Sequence, residues 1–141
     1  MIYTLDTNVL VDALRQPADL ARLKSFLSWA LPSTVLSSVV AAELTAGART
    51  PKALEALERE FLAPFERRGR IIAPSPAAWR RAARVLGAGG GSPRASRLND
   101  ALLACSAREH GWTIVTRDAD LGAFRRAIGG LKLVAPFPAR P

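Results

Sequence analysis

Four acidic residues, Asp6, Glu43, Asp100 and Asp118, stand at strand ends or on helix faces from which carboxylates could act together on a metal ion. Asp6 directly follows a β-branched and apolar run at 2–5. Ligands of open α/β sheets collect beyond the carboxyl ends of the strands. A helix cap would also account for an Asp there, but Asn8 stands ready to cap, which leaves Asp6 for other work. On a helix, Glu43 shares a face with Val39, Val40, Ala46 and Gly47, so it is expected to point inward; the alternative is a helix-surface Glu at the edge of that stripe. A buried Glu is expensive without a partner or a metal. Asp100 opens a helix whose face continues through Leu103, Ala104 and Ala107. A helix N-terminus favours an ionised carboxylate, so a plain cap-region acid is the alternative; Ser96 offers that helix a cap, which weakens this alternative. Asp118 follows the run 114–116 at the same kind of strand end as Asp6. Asp120 either caps the next helix or adds a contact to the site. Thr116 ends the strand with a hydroxyl able to hold a carboxylate.

Acids gathered at one sheet edge repel one another unless a cation lies between them. The ligand set is oxygen only. There is a single Cys and a single His, and His110 reads as a helix-end residue. Such donors suit Mg²⁺ or Mn²⁺ rather than zinc.

The elements that must position these acids follow from periodicity. Strands are expected at 2–5, 34–37, 70–73, 112–116 and 132–134. Helices are expected at 8–15, 17–29, 38–48, 51–65, 76–86, 96–110 and 121–128. Leu20, Leu23, Phe26 and Leu27 form the apolar face of the second helix, and Leu54, Leu57, Phe61 and Leu62 that of the fourth. Gly111 ends the helix before the fourth strand. Alternation of strands and helices implies a three-layer α/β/α fold with a central, mainly parallel sheet. The Gly-rich stretch 87–93 reads as a loop joining two helices.

A length of 141 residues suits one domain, 1–141, able to bury a core without staples. With one Cys no internal disulfide forms, which fits a reducing compartment. Asp6 interrupts the first apolar run, which argues against a signal peptide. The longest uncharged stretch, 25–42, contains Pro32 and falls short of a membrane span. The reading is a soluble, cytoplasmic protein. The net charge is +8, from 20 Lys and Arg against 12 Asp and Glu. Gathering four acids in one site leaves the remaining surface still more basic. Most of the cations are Arg, which suits phosphate contacts. An acidic protein partner would also satisfy this charge.

Four segments, 3–10 (YTLDTNVL), 37–44 (SSVVAAEL), 98–104 (LNDALLA) and 114–121 (IVTRDADL), resemble in order and spacing the PIN-domain family. Within it they look like the VapC-type toxins of bacterial toxin–antitoxin pairs. The resemblance covers essentially the whole chain. It implies that Asp6, Glu43, Asp100 and Asp118 are the catalytic acids, with Asp6, Asp100 and Asp118 on the metal. Thr116 matches the family's Thr or Ser, and Asn8 its first-motif Asn, a structural residue. Relatives take the last metal contact from the position of Asp118, of Asp120, or both. The resemblance further implies a Mg²⁺- or Mn²⁺-dependent endoribonuclease, a homodimer, and inhibition by a small antitoxin protein. Arg15, Arg49, Arg94, Arg97 and Arg117 would then track the RNA backbone. Trp29 and Trp79 are candidate anchors of the dimer. Two rivals stand against this reading. An aspartyl-nucleophile phosphatase needs an acid where this chain has Asn8. A non-catalytic RNA-binding module on the same fold does not need the full set of acids.

Overall fold

The computed structural model describes residues 1–89, 95–117 and 119–141, and of residues 95, 96, 119 and 120 the backbone alone. The order is β1 (Tyr3–Leu5), α1 (Thr7–Arg15), α2 (Pro17–Ala30), β2 (Thr34–Ser37), α3 (Ser38–Gly47), α4 (Pro51–Leu57), α5 (Ala63–Glu66), β3 (Ile71–Ile72), α6 (Pro76–Ala88), α7 (Ala95–His110), β4 (Thr113–Val115), α8 (Ala119–Gly122) and β5 (Lys132–Val134). The helices start on local chemistry. Ser37, Thr50 and Ser75 cap α3, α4 and α6 through their side chains, and a Pro follows the cap of α4 and α6. Gly111, at φ 72°, provides the left-handed turn that ends α7.

All strand pairs are parallel and the sheet order is β3-β2-β1-β4-β5. β1 is therefore central, and the order of strands reverses between β1 and β4. Every residue of β1 and β4 is buried, as expected for parallel strands covered by helices on both faces. The core is continuous. Leu5, Leu10, Leu23, Leu36, Phe65, Leu103 and Ile114 are all fully enclosed. Tyr3, Phe26 and Trp29 pack edge to face, with Phe137 against Phe26. No described helix is long and apolar enough to cross a membrane.

The expected α/β architecture holds, with three local differences. The fourth helix is not one regular α-helix. It passes through a π-helical turn, Glu58–Leu62, that lets the adjacent Phe61 and Leu62 both turn inward. The expected helix at 121–128 is the short α8 followed by a 3-10 turn, Ala123–Arg125. The three-residue spacing of buried Leu121 and Phe124 matches that tighter turn. β3 is only two residues long, at the sheet edge, where short strands limit unwanted pairing.

Candidate active site

Asp6 is the residue around which the described site is built. It directly follows β1, and its own backbone N–H donates to Val115 O at 3.0 Å, so the central strand and β4 hold it in place. It is 4% exposed. Its Oδ1 accepts from Thr7 N at 2.7 Å and so caps α1. Asn8 was expected to take that role. It lies instead inside the first turn, and the cap and the site share one carboxylate. Asp6 Oδ2 accepts from Thr116 Oγ1 at 2.8 Å and from Asn8 Nδ2 at 3.3 Å. Asn8 Nδ2 also reaches Thr116 Oγ1 at 3.4 Å, and Asn8 Oδ1 accepts from Arg117 N at 3.4 Å. Both oxygens of this buried carboxylate thus accept hydrogen bonds. An aspartyl phosphatase would need an acid in place of Asn8; here an amide donates to Asp6.

Glu43 approaches from α3. Its Oε1 accepts from Thr7 Oγ1 at 3.1 Å. It is half-buried, at the edge of the apolar stripe and not within it: Val40 is buried, whereas Ala46 and Gly47 are exposed. Burial raises its pKa above the ordinary 4.5, and the charge of Asp6 adds to the rise, while hydrogen bonds from Thr7 and Asn99 oppose it. Asp6 is thus close enough to oppose the ionisation of Glu43. Asp100 lies half-buried on α7, with Leu103, Ala104 and Ala107 buried along the same helix.

Asp118 and Arg94 lie outside the described residues, as does the side chain of Asp120. Among the described residues, no three His, Cys, Asp or Glu side chains form a group able to hold a metal ion. The chemistry of Asp6 and Glu43 nevertheless fits a hard divalent cation: two neighbouring carboxylates surrounded by hydroxyls and amides, with no sulfur or imidazole donor beside them. His110 ends α7 and stacks on Trp112 with ring centroids 4.5 Å apart.

Of the candidate basic residues, Arg15 and Arg49 are exposed. Arg97 sets its guanidinium over the Phe124 ring, 5.0 Å from the centroid. Arg117 is engaged by Asp19 at 2.8 Å and Asp12 at 3.3 Å. Trp79 is 48% exposed and Trp29 is half-buried among aromatic rings. Thr7 and Asn99, both partners of Glu43, were not singled out by the sequence reading. Their signal was their position beside Asp6 and Asp100 in the quoted segments.

A PIN domain family model matches residues 3–127. No curated protein matches the chain. Among solved structures, a chain of FitAcB from Neisseria gonorrhoeae is 27% identical, with a TM-score of 0.70 over 96% of this chain and 98% of the other. VapBC from Salmonella typhimurium, solved bound to DNA, gives 19% and 0.72 over 97% and 99%. A toxin–antitoxin complex from Klebsiella pneumoniae gives 22% and 0.66 over 97% and 99%. The two lower identities speak for a shared fold.

Proposed function

The chain belongs to the PIN domain family, and from that premise we propose that it is a Mg²⁺- or Mn²⁺-dependent endoribonuclease, the toxin of a toxin–antitoxin pair. The observation that carries this reading is Asp6: a buried carboxylate at the end of the central strand, where the strand order reverses, opposed by the second carboxylate of Glu43. That crevice is where parallel α/β sheets bind ligands. Asp6, Asp100 and Asp118 would hold the ion. When bound, the ion supplies Lewis acidity toward a phosphodiester and its attacking water.

The chain's own residues do the rest. Thr116 and Asn8 fix the direction of Asp6 Oδ2. Thr7 ties Asp6 and Glu43 together, its N–H on one and its hydroxyl on the other. Glu43, with its raised pKa, is suited to take a proton from the attacking water. No covalent nucleophile is required. The exposed Arg15 and Arg49 provide charge for the RNA backbone. The likeness to toxin–antitoxin and VapBC structures supports a small antitoxin as partner; a homodimer is what the family resemblance implies.

The test is cleavage of single-stranded RNA by the purified chain in millimolar Mn²⁺, with EDTA and with Asp6→Asn beside it. We expect cleavage that EDTA abolishes, and an Asp6→Asn chain that binds RNA but cuts little. Equal cutting by the metal-stripped chain or by Asp6→Asn would sink the mechanism.

A further inference from the structure

We propose that Arg117 is a positioning residue for Asp6, acting through Asn8, and is not an RNA contact; the catalytic part of this inference rests on the nuclease reading above. Arg117 directly follows Thr116 at the end of β4. Two acids from two different helices grip its side chain: Nε lies 3.3 Å from Asp12 Oδ2 on α1, and Nη2 lies 2.8 Å from Asp19 Oδ1 on α2. Asp19 is the less accessible of the two acids, with 19% side-chain exposure against 35% for Asp12. The planar guanidinium spans both carboxylates at once, a geometry that an ammonium cannot copy. The cation therefore pins the end of β4 to the two helices that follow β1.

Charge accounting argues against an RNA role. Arg117 with Asp12 and Asp19 carries one net negative charge. Arg22, 3.7 Å from Asp19, brings the cluster only to neutrality. A phosphate would have to displace two carboxylates already in place.

The pinned backbone has a use. Arg117 N donates to Asn8 Oδ1 at 3.4 Å. With its oxygen engaged there, Asn8 presents Nδ2 to Asp6 Oδ2 and Thr116 Oγ1. The flipped amide would set Oδ1 against Asp6 Oδ2, two acceptors face to face, and its NH₂ against the Arg117 N–H, two donors face to face. The orientation that serves Asp6 thus depends on where the N–H of residue 117 points, and the clamp on the side chain sets that direction.

The experiment compares Arg117→Ala, Arg117→Lys and the double variant Asp12→Asn/Asp19→Asn in the full chain. The first readout is the Asn8 side-chain NH₂ signal in a nitrogen-15 NMR spectrum. It should be shifted and protected from exchange in the wild type, and should move toward a free amide in Arg117→Ala and in the double Asp variant. Arg117→Lys should fall between. The second readout is RNA cleavage kinetics. We expect kcat to fall roughly ten- to hundredfold in Arg117→Ala and in the double Asp variant with KM little changed, as for a misplaced catalytic group, and partial recovery in Arg117→Lys. An RNA contact would behave otherwise: Arg117→Ala would raise KM and flatten the salt dependence of binding, and the double Asp variant would bind RNA more tightly. That pattern, or an unmoved Asn8 signal, overturns the inference. Should Arg117→Ala not fold, the double Asp variant and Arg117→Lys still decide it. A wild-type chain that cuts no RNA overturns the nuclease reading, and the Asn8 signal then decides the clamp by itself.

Discussion

Thr116 Oγ1 donates to Asp6 Oδ2 at 2.8 Å, joining the ends of β4 and β1 across 110 residues of sequence. Both residues are buried. A hydrogen bond to a buried charged group is worth more than one between neutral groups. Thr116→Val keeps the β-branched shape and removes the donor. We expect it to lower stability by about 1–3 kcal/mol in denaturant unfolding, with Thr116→Ser losing less. Cleavage should fall with it. An unchanged midpoint for Thr116→Val would show that Asp6 does not depend on this hydroxyl.

The same substitution at Thr4 should have the opposite sign. Thr4 lies in the middle of β1 and is fully buried, and its Oγ1 finds no hydrogen-bond partner among the described residues. An orphaned buried hydroxyl costs free energy that an isosteric methyl does not, and Val suits a buried strand. Thr4→Val should be neutral or raise the unfolding free energy by up to about 1 kcal/mol. A clear loss of stability would mean that the hydroxyl is in fact satisfied.

Glu43 predicts a pH dependence. Burial and the charge of Asp6 raise its folded pKa above the ordinary 4.5. The folded state then holds a proton that the unfolded state gives up. Stability from this group therefore falls as pH rises from the ordinary value through the raised one, and the penalty persists above it. Glu43→Gln keeps an oxygen for the Thr7 hydroxyl and abolishes the titration. In EDTA it should melt higher than wild type at neutral pH, and the gap should close on acidification below about pH 4. Melts across that range are the check. A gap that widens toward acid would reverse the sign assigned here.

Metal binding should appear as stability. A ligand that binds only the folded state raises the melting temperature, by about 2.7 kcal/mol of stability at a hundredfold excess over Kd. Mn²⁺ should therefore raise the melting point of wild type. Asp6→Asn and Asp100→Asn should lose most of the rise, while Glu58→Gln, an exposed residue of the π-helical turn, should keep it. If Asp100→Asn responds as wild type does, Asp100 is a structural residue of α7 and not a ligand.

Much of the fold was legible because its elements are punctuated locally. Strands β2 and β5 lie where alternation placed them, and Pro51, Pro76 and Gly111 mark helix ends where expected. Three features were not legible, and each depends on partners distant in sequence. Asp6 caps α1 although Asn8 suits that role by type, because Asn8 is drawn to Thr116 and Asp6. Glu43 sits at a stripe's edge because packing between helices, not periodicity, decides which side of α3 is covered. Arg117 looked available for phosphate because nothing near it in sequence reveals that Asp12 and Asp19 converge on it. Spacing could point to the acids. It could not show what holds them.

The central place of β1 has a consequence for the chain as it is translated. Tyr3–Leu5 is synthesised before the other strands of the sheet, yet one of its two neighbours there is Thr113–Val115. Until β4 has also emerged, one edge of β1 has no partner strand. Asp6 then lacks both the Thr116 hydroxyl and the Val115 carbonyl that hold it. A nascent or prematurely terminated chain ending before β4 therefore carries Asp6 and Glu43 without the β4 partners that fix Asp6. Its open strand marks it for proteolysis or chaperone capture. If the chain is the ribonuclease proposed above, this topology delays arming until synthesis has passed β4.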